Sequence, residues 1–156
     1  MPRTLVPSAA LAALPLLLLT ACSPIVALQP AEDAVNVGCA EVIVGLPQTV
    51  AGLDARETNA QGTAAWGDPA RVILRCGVAP PPPTAEYPCV SPEGVDWLRN
   101  DTDAPNFVFT TYGRDPAVEV IVDSEAASGL AALTDLGYAV SIIPQDGECI
   151  AIEDAQ

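Results

Sequence analysis

Cys22, Cys39, Cys76, Cys89 and Cys149 are the residues of this chain best suited to covalent chemistry, and no histidine or lysine exists to assist them. That absence removes Ser-His-Asp and Cys-His catalysis, histidine-ligated zinc, Schiff-base lysines and the P-loop lysine. Carboxylates are what remain, twenty of them. Asp96, next to Trp97, could join Glu93 and Glu119 in the paired-acid chemistry of glycoside hydrolysis, although no spacing demands it. Asn100-Asp101-Thr102-Asp103 resembles the opening of a calcium loop. Counting from Asp101, however, Asn106 falls where glycine is needed and Tyr112 where glutamate is needed, so a turn between strands is expected. Trp66 and Trp97 are expected in the core rather than as sugar platforms. No metal site and no cofactor are expected.

The first of the cysteines stands apart from the others. Arg3 and the amino terminus precede an apolar run from Leu5 to Leu19, which leads into Leu19-Thr20-Ala21-Cys22. A basic start, a short apolar core and small residues before a processing point make a secretory signal. The tetrapeptide resembles the lipobox of bacterial lipoproteins, whose cysteine receives a diacylglyceryl thioether and becomes the new N-terminus. The apolar run, about 15 residues, is short against the roughly 20 that cross a bilayer. The expectation is a signal peptide over 1–21, a lipidated tether over 22–36 and a single extracytoplasmic domain over 37–156. The location would be the outer face of the cell membrane, with Cys22 as the lipid (palmitate-type) attachment site.

Cleavage before Cys22 removes 21 of 156 residues and leaves 135, the size of one domain. That part carries five arginines against twenty carboxylates, a net charge of −15 before the termini. Such a surface repels phosphate backbones and anionic headgroups alike, so no nucleic-acid partner is expected and the acyl chains must hold the protein at the membrane. The four remaining cysteines, an even number in an exported chain, read as two disulfides.

The elements that position these residues follow from periodicity. Asn36 can cap a helix from about Val37 to Leu46, with Cys39, Val42, Ile43 and Leu46 on one stripe and Pro47 as its stop. Val72–Val78 reads as a strand ended by the proline run from Pro80 to Pro83. Cys89-Val90 and Val95–Leu98 flank a turn at Ser91–Gly94. Asn106–Tyr112 and Ala117–Asp123 form a hairpin around Gly113-Arg114-Asp115-Pro116, with Phe107, Phe109, Val118, Val120 and Val122 on the core face. Thr49–Gly67 is ambiguous. Ser124 is expected to cap a second helix to Leu136, with Leu130, Leu133 and Leu136 buried and Gly137 as its stop. Tyr138–Ile143 and Glu148–Ile152 are expected as the last strands. The fold class is α+β, a mainly antiparallel sheet with two helices packed on one face and two disulfides.

Face parity suggests which cysteines pair. Cys76 shares the apolar face of its strand with Val72 and Leu74, and Cys39 lies on the apolar stripe of the first helix, so the two can meet in the core. Cys149 is opposite in parity to Ile150 and Ile152, where Cys89 could reach it. The expectation is Cys39–Cys76 and Cys89–Cys149, with Cys76–Cys89 plus Cys39–Cys149 as the rival.

Several strings together resemble a family of actinobacterial membrane-attached proteins defined as domain of unknown function family 3515. They are Gly38-Cys39-Ala40, Arg56-Glu57-Thr58, Ala65-Trp66-Gly67-Asp68-Pro69, Leu74-Arg75-Cys76-Gly77-Val78, Gly94-Val95-Asp96-Trp97 and Thr110-Thr111-Tyr112-Gly113-Arg114 with Pro116–Val120. The resemblance implies an envelope location and brings no activity or catalytic residue with it. The functional expectation is a lipid-anchored, non-catalytic binding module presenting Thr110, Tyr112, Arg114 and Glu119 to an envelope protein or glycan. The alternative is a carboxylate-based hydrolase acting on envelope glycans.

Overall fold

A computed structural model describes residues 24–84 and 86–149. The expected signal peptide, Cys22 and the end of the expected last strand (150–152) lie outside the described residues. Among those described, no helix is long and apolar enough to cross a membrane.

Eight strands build one antiparallel sheet: β1 (Thr49–Val50), β2 (Leu53–Arg56), β3 (Thr63–Trp66), β4 (Val72–Val78), β5 (Cys89–Val90), β6 (Trp97–Asn100), β7 (Asn106–Thr111) and β8 (Ala117–Asp123). Their order is β1-β2-β3-β4-β8-β7-β6-β5, so the longest strands lie at the centre. Helices α1 (Val37–Gly45) and α2 (Gly129–Val140) pack on one face. Parity decides which face. Val72, Leu74 and Cys76 stand opposite Val122, Val120 and Val118, and all six are buried. Ile73, Arg75, Ile121 and Glu119, pointing the other way, remain partly exposed. Phe109, Trp97 and Trp66 complete the buried side, which closes against Val42, Leu133 and Leu136 of the helices. The fold is α+β, and the ambiguous stretch Thr49–Gly67 resolves into three short strands.

Helix α1 begins where expected, with the Asn36 side chain accepting from the Gly38 amide at 2.9 Å. Cys39 at its apolar stripe bonds to Cys76 of β4, and Cys89 of β5 bonds to Cys149, with Cα separations of 5.4 and 6.3 Å. This is the pairing that parity suggested. Closing a loop of 37 residues between Cys39 and Cys76 stabilises the fold by about 4 kcal/mol in the chain-entropy account.

The second helix differs from the expectation. Ser128, not Ser124, is its cap, with its Oγ accepting from the Ala131 amide. Asp123 holds the preceding residues in turns, its carbonyl accepting from Ala126 and Ala127 and its carboxylate from Glu125. Gly137 does not stop the helix. A Cβ there would stand 3.1 Å from Cβ of Glu93, so the missing side chain serves close packing against the turn Pro92–Gly94. The helix therefore runs through Tyr138 to Val140, and the expected strand Tyr138–Ile143 does not form. Leu130 is largely exposed, while Ala132, Ala139 and Val140 join Leu133 and Leu136 in the core.

Residues 24–36, expected as a free tether, lie along the domain instead. Val26 pairs with Thr58 in a parallel bridge, the Arg56 guanidinium donates to the Pro24 carbonyl at 2.7 Å, and the Asp33 amide donates to Gly77 O at 3.0 Å. Ala31 and Ala34 of this segment are buried. Backbone bonds and small apolar side chains hold it, which hydropathy patterning does not register.

Candidate functional site

Beyond α2 the chain becomes a strap, residues 141–149, that crosses the end of the sheet and is stapled by Cys149 to Cys89. A buried polar cluster fastens it. Asp96, 8 % exposed, accepts from Ser91 Oγ (2.5 Å), Gln145 Nε2 (3.1 Å) and the Cys149 amide (2.8 Å). Arg114, 5 % exposed, donates to the Ile143 carbonyl and to Gln145 Oε1. Burial pushes the Arg114 pKa down, and the negative charge of Asp96 opposes that shift. Cys89, Asp96 and Cys149 offer three ligand-type atoms within 4.8 Å, but the two sulfurs are spent on each other. With three donors on its carboxylate, Asp96 is held as an acceptor, and the chemistry of this cluster is structural. Asp96→Ala would strand the Cys149 amide and leave Arg114 without its neighbouring charge. We expect a loss of about 2–4 kcal/mol in urea denaturation with both disulfides intact; wild-type stability would show that the cluster does not fasten the strap.

The structure divides the expected interaction residues. Thr110 and Glu119 stand directly opposite each other on β7 and β8, on the face away from the helices, and Tyr112 follows just beyond β7. All three are half-buried. Arg114 is not with them, because the strap covers it. Glu119 meets Arg75 Nε at 3.0 Å, an ion pair without hydrogen-bond angles. Across this face run two rows set by the register: Ile73, Ile121, Val108 and Asn100, then Arg75, Glu119, Thr110, Leu98 and Cys89.

The candidate acids do not converge. Asp96 serves the strap, Glu119 pairs with Arg75, and Glu93 packs on Gly137. Asp101 bonds to Arg99 in the turn between β6 and β7, where the Asn100 side chain accepts from the Thr102 amide. Trp66 is buried with its indole donating to the Pro47 carbonyl at 3.2 Å, and Trp97 is buried with its indole nitrogen unpartnered. On the helix side an open groove of about 200 Å³ is lined chiefly by Val90, Arg99, Phe107, Phe109, Leu130 and Leu133. Arg99 lies over the Phe107 ring at 4.7 Å, a cation–π contact.

Sequence reasoning missed the burial of Asp96 and Arg114. For Asp96 a signal existed, a lone acid in the otherwise apolar run Val95–Leu98. For Arg114, at a hairpin tip, no local signal did, because the strap arrives from 29 residues later.

No curated protein and no solved structure matches the chain. A family model described as a protein of unknown function, DUF3515, matches residues 9–147, nearly the whole length, and the chain belongs to that family.

Proposed function

We propose that the protein is a lipid-anchored module of the cell envelope, attached through Cys22 and exposed outside the cytoplasm, which binds an envelope protein or glycan. The anchor rests on the sequence: a basic start, an apolar run and Leu19-Thr20-Ala21-Cys22. The observation that supports binding over catalysis is the sheet face opposite the helices. There Thr110, Glu119, Ile73, Ile121 and Val108 stand partly exposed in ordered rows with no helix against them. A hydrolase of envelope glycans needs two carboxylates facing one bond. The groove on the helix side presents no carboxylate, and the candidate acids are tied to separate partners.

A photo-crosslinking residue placed at Thr110 in the native membrane tests this. The expected result is one discrete adduct, diminished when Glu119 is changed to lysine. Absence of any adduct at Thr110, together with release of sugar ends from purified envelope glycan by the isolated chain, would transfer the assignment to the hydrolase.

A further inference from the structure

Among the described residues, one group of metal-ligand side chains gathers: Cys89, Asp96 and Cys149, whose sulfurs and carboxylate lie within 4.8 Å of one another. While the disulfide is closed, both sulfurs are bonded and the cluster fastens the strap. Opening the bond changes what the three residues can do, because two thiolates and a carboxylate are a donor set that zinc accepts.

The opened pair stays together, since other bonds hold each cysteine in place. Cys89 is fixed by the pairing of β5 with β6, where it stands opposite Leu98. Cys149 is fixed through its own amide, which donates to Asp96 Oδ2 at 2.8 Å. The strap before it is held by the Asp146 amide, which donates to the Gly113 carbonyl at 2.6 Å, and by Gln145 Nε2, which donates to the Gly147 carbonyl at 2.8 Å. None of these contacts needs the disulfide. A tetrahedral zinc ion with bonds of about 2.0–2.3 Å places its ligand atoms about 3.6–3.8 Å apart. Small side-chain movements bring the three atoms to that separation once the sulfurs are no longer bonded.

Exposure separates the two disulfides. Cys39 and Cys76 are 0 % exposed in the apolar core, with no carboxylate gathered on them, whereas Cys89 and Cys149 are half-buried. A reductant in solution therefore reaches the Cys89–Cys149 bond first. Charge also favours a cation there. Two thiolates and Asp96 carry three negative charges, which a divalent ion lowers to one, close to the buried Arg114 guanidinium.

We propose that Cys89, Asp96 and Cys149 form a binding site for a zinc-type divalent cation when their disulfide is open, so that either a covalent bond or a metal ion closes the strap. A dithiol reductant opens it. One reductant thiolate attacks a sulfur, the Cys89–Cys149 bond breaks, and the second reductant thiol resolves the mixed disulfide, leaving two cysteine thiols and an oxidised reductant. Zinc then replaces the two thiol protons, which pass to water. Water supplies the fourth ligand. The site does not depend on the lipid anchor.

The test uses the full chain carrying Cys22→Ser, in detergent, so that no fifth thiol intervenes. A phosphine reductant opens the disulfide under native conditions and is removed without oxygen. Alkylation with mass mapping is expected to mark Cys89 and Cys149 and to spare Cys39 and Cys76, and zinc added beforehand should slow that alkylation several-fold. Cadmium should give a thiolate-to-metal absorption band in the ultraviolet that saturates at one ion per chain and is displaced by zinc. Asp96→Asn keeps the side-chain shape and an oxygen for the Cys149 amide but removes the anionic donor. It should weaken zinc binding about tenfold or more, at least the loss that removing an outer-shell partner of a metal brings. Cys149→Ser, which retains Asp96 and its contacts, should abolish the band. Absence of the band, saturation at one ion per two chains, unchanged affinity in Asp96→Asn, or alkylation of all four cysteines together would overturn the site.

Discussion

Cys22→Ser is expected to yield a chain that keeps Met1–Ala21 and carries no acyl group, whereas the anchoring proposed above requires a wild type that is shortened and lipid-modified. The thiol is the only group in Leu19-Thr20-Ala21-Cys22 that can form the thioether, and the lipobox resemblance implies that diacylation precedes cleavage. The effect on membrane attachment is large because a second acyl chain turns marginal, reversible binding into stable anchoring, each buried CH₂ contributing about 0.8 kcal/mol. The retained leader complicates a simple fractionation, since its apolar run can itself associate with lipid. Intact mass is therefore the deciding measurement, and detergent phase partition the supporting one. A Cys22→Ser chain processed to the wild-type mature mass, with no acyl difference between them, would refute the anchor.

What was legible in the sequence was local. β4, β7 and β8 alternate or cluster β-branched residues over lengths that match strands, so their faces could be assigned and the disulfide partners with them. Cys39 and Cys76 meet because helix stripe and strand face both point to one core. The start of α1 was legible because its cap is a side-chain bond within three residues.

What was not legible depended on residues far apart. Gly137 looks like a helix stop only until Glu93 is placed against it. Likewise Gly129, whose added Cβ would stand 2.9 Å from the Phe109 ring, lets the start of α2 lie close on the sheet. The segment 24–36 has the composition of a linker, and its order comes from backbone groups of Glu57, Asn59 and Gly77 that composition cannot reveal. Arg114 reads as a surface cation at a hairpin tip, and only the strap from Ile143 onward makes it a buried donor. In each case the local signal was real, and a tertiary contact decided its meaning.

Gly77→Ala should be among the most damaging single exchanges within the described domain. Gly77 sits at a register shift in β4 with φ +98°, a conformation that costs an alanine about 1–2 kcal/mol. Gly52, with φ +78°, would incur a similar backbone cost, but nothing lies within 4 Å of the place its Cβ would take. At Gly77 the added carbon would fall 2.3 Å from the Asp33 carbonyl carbon and 2.5 Å from the Ala34 nitrogen. Both are backbone atoms, so no side-chain rotation relieves the overlap. The segment must lift instead, giving up the Asp33–Gly77 hydrogen bond and the burial of Ala31 and Ala34. Together these losses should exceed about 4 kcal/mol, against about 1–2 kcal/mol for Gly52→Ala. Denaturant midpoints of the two variants, with disulfides oxidised, measure the difference. Equal losses would mean that Asp33 and Ala34 do not press on β4. A large loss at Gly77 alone, accompanied by new protease cleavage between Pro24 and Asn36, would show that this glycine is what lets the segment 24–36 lie flat on the domain.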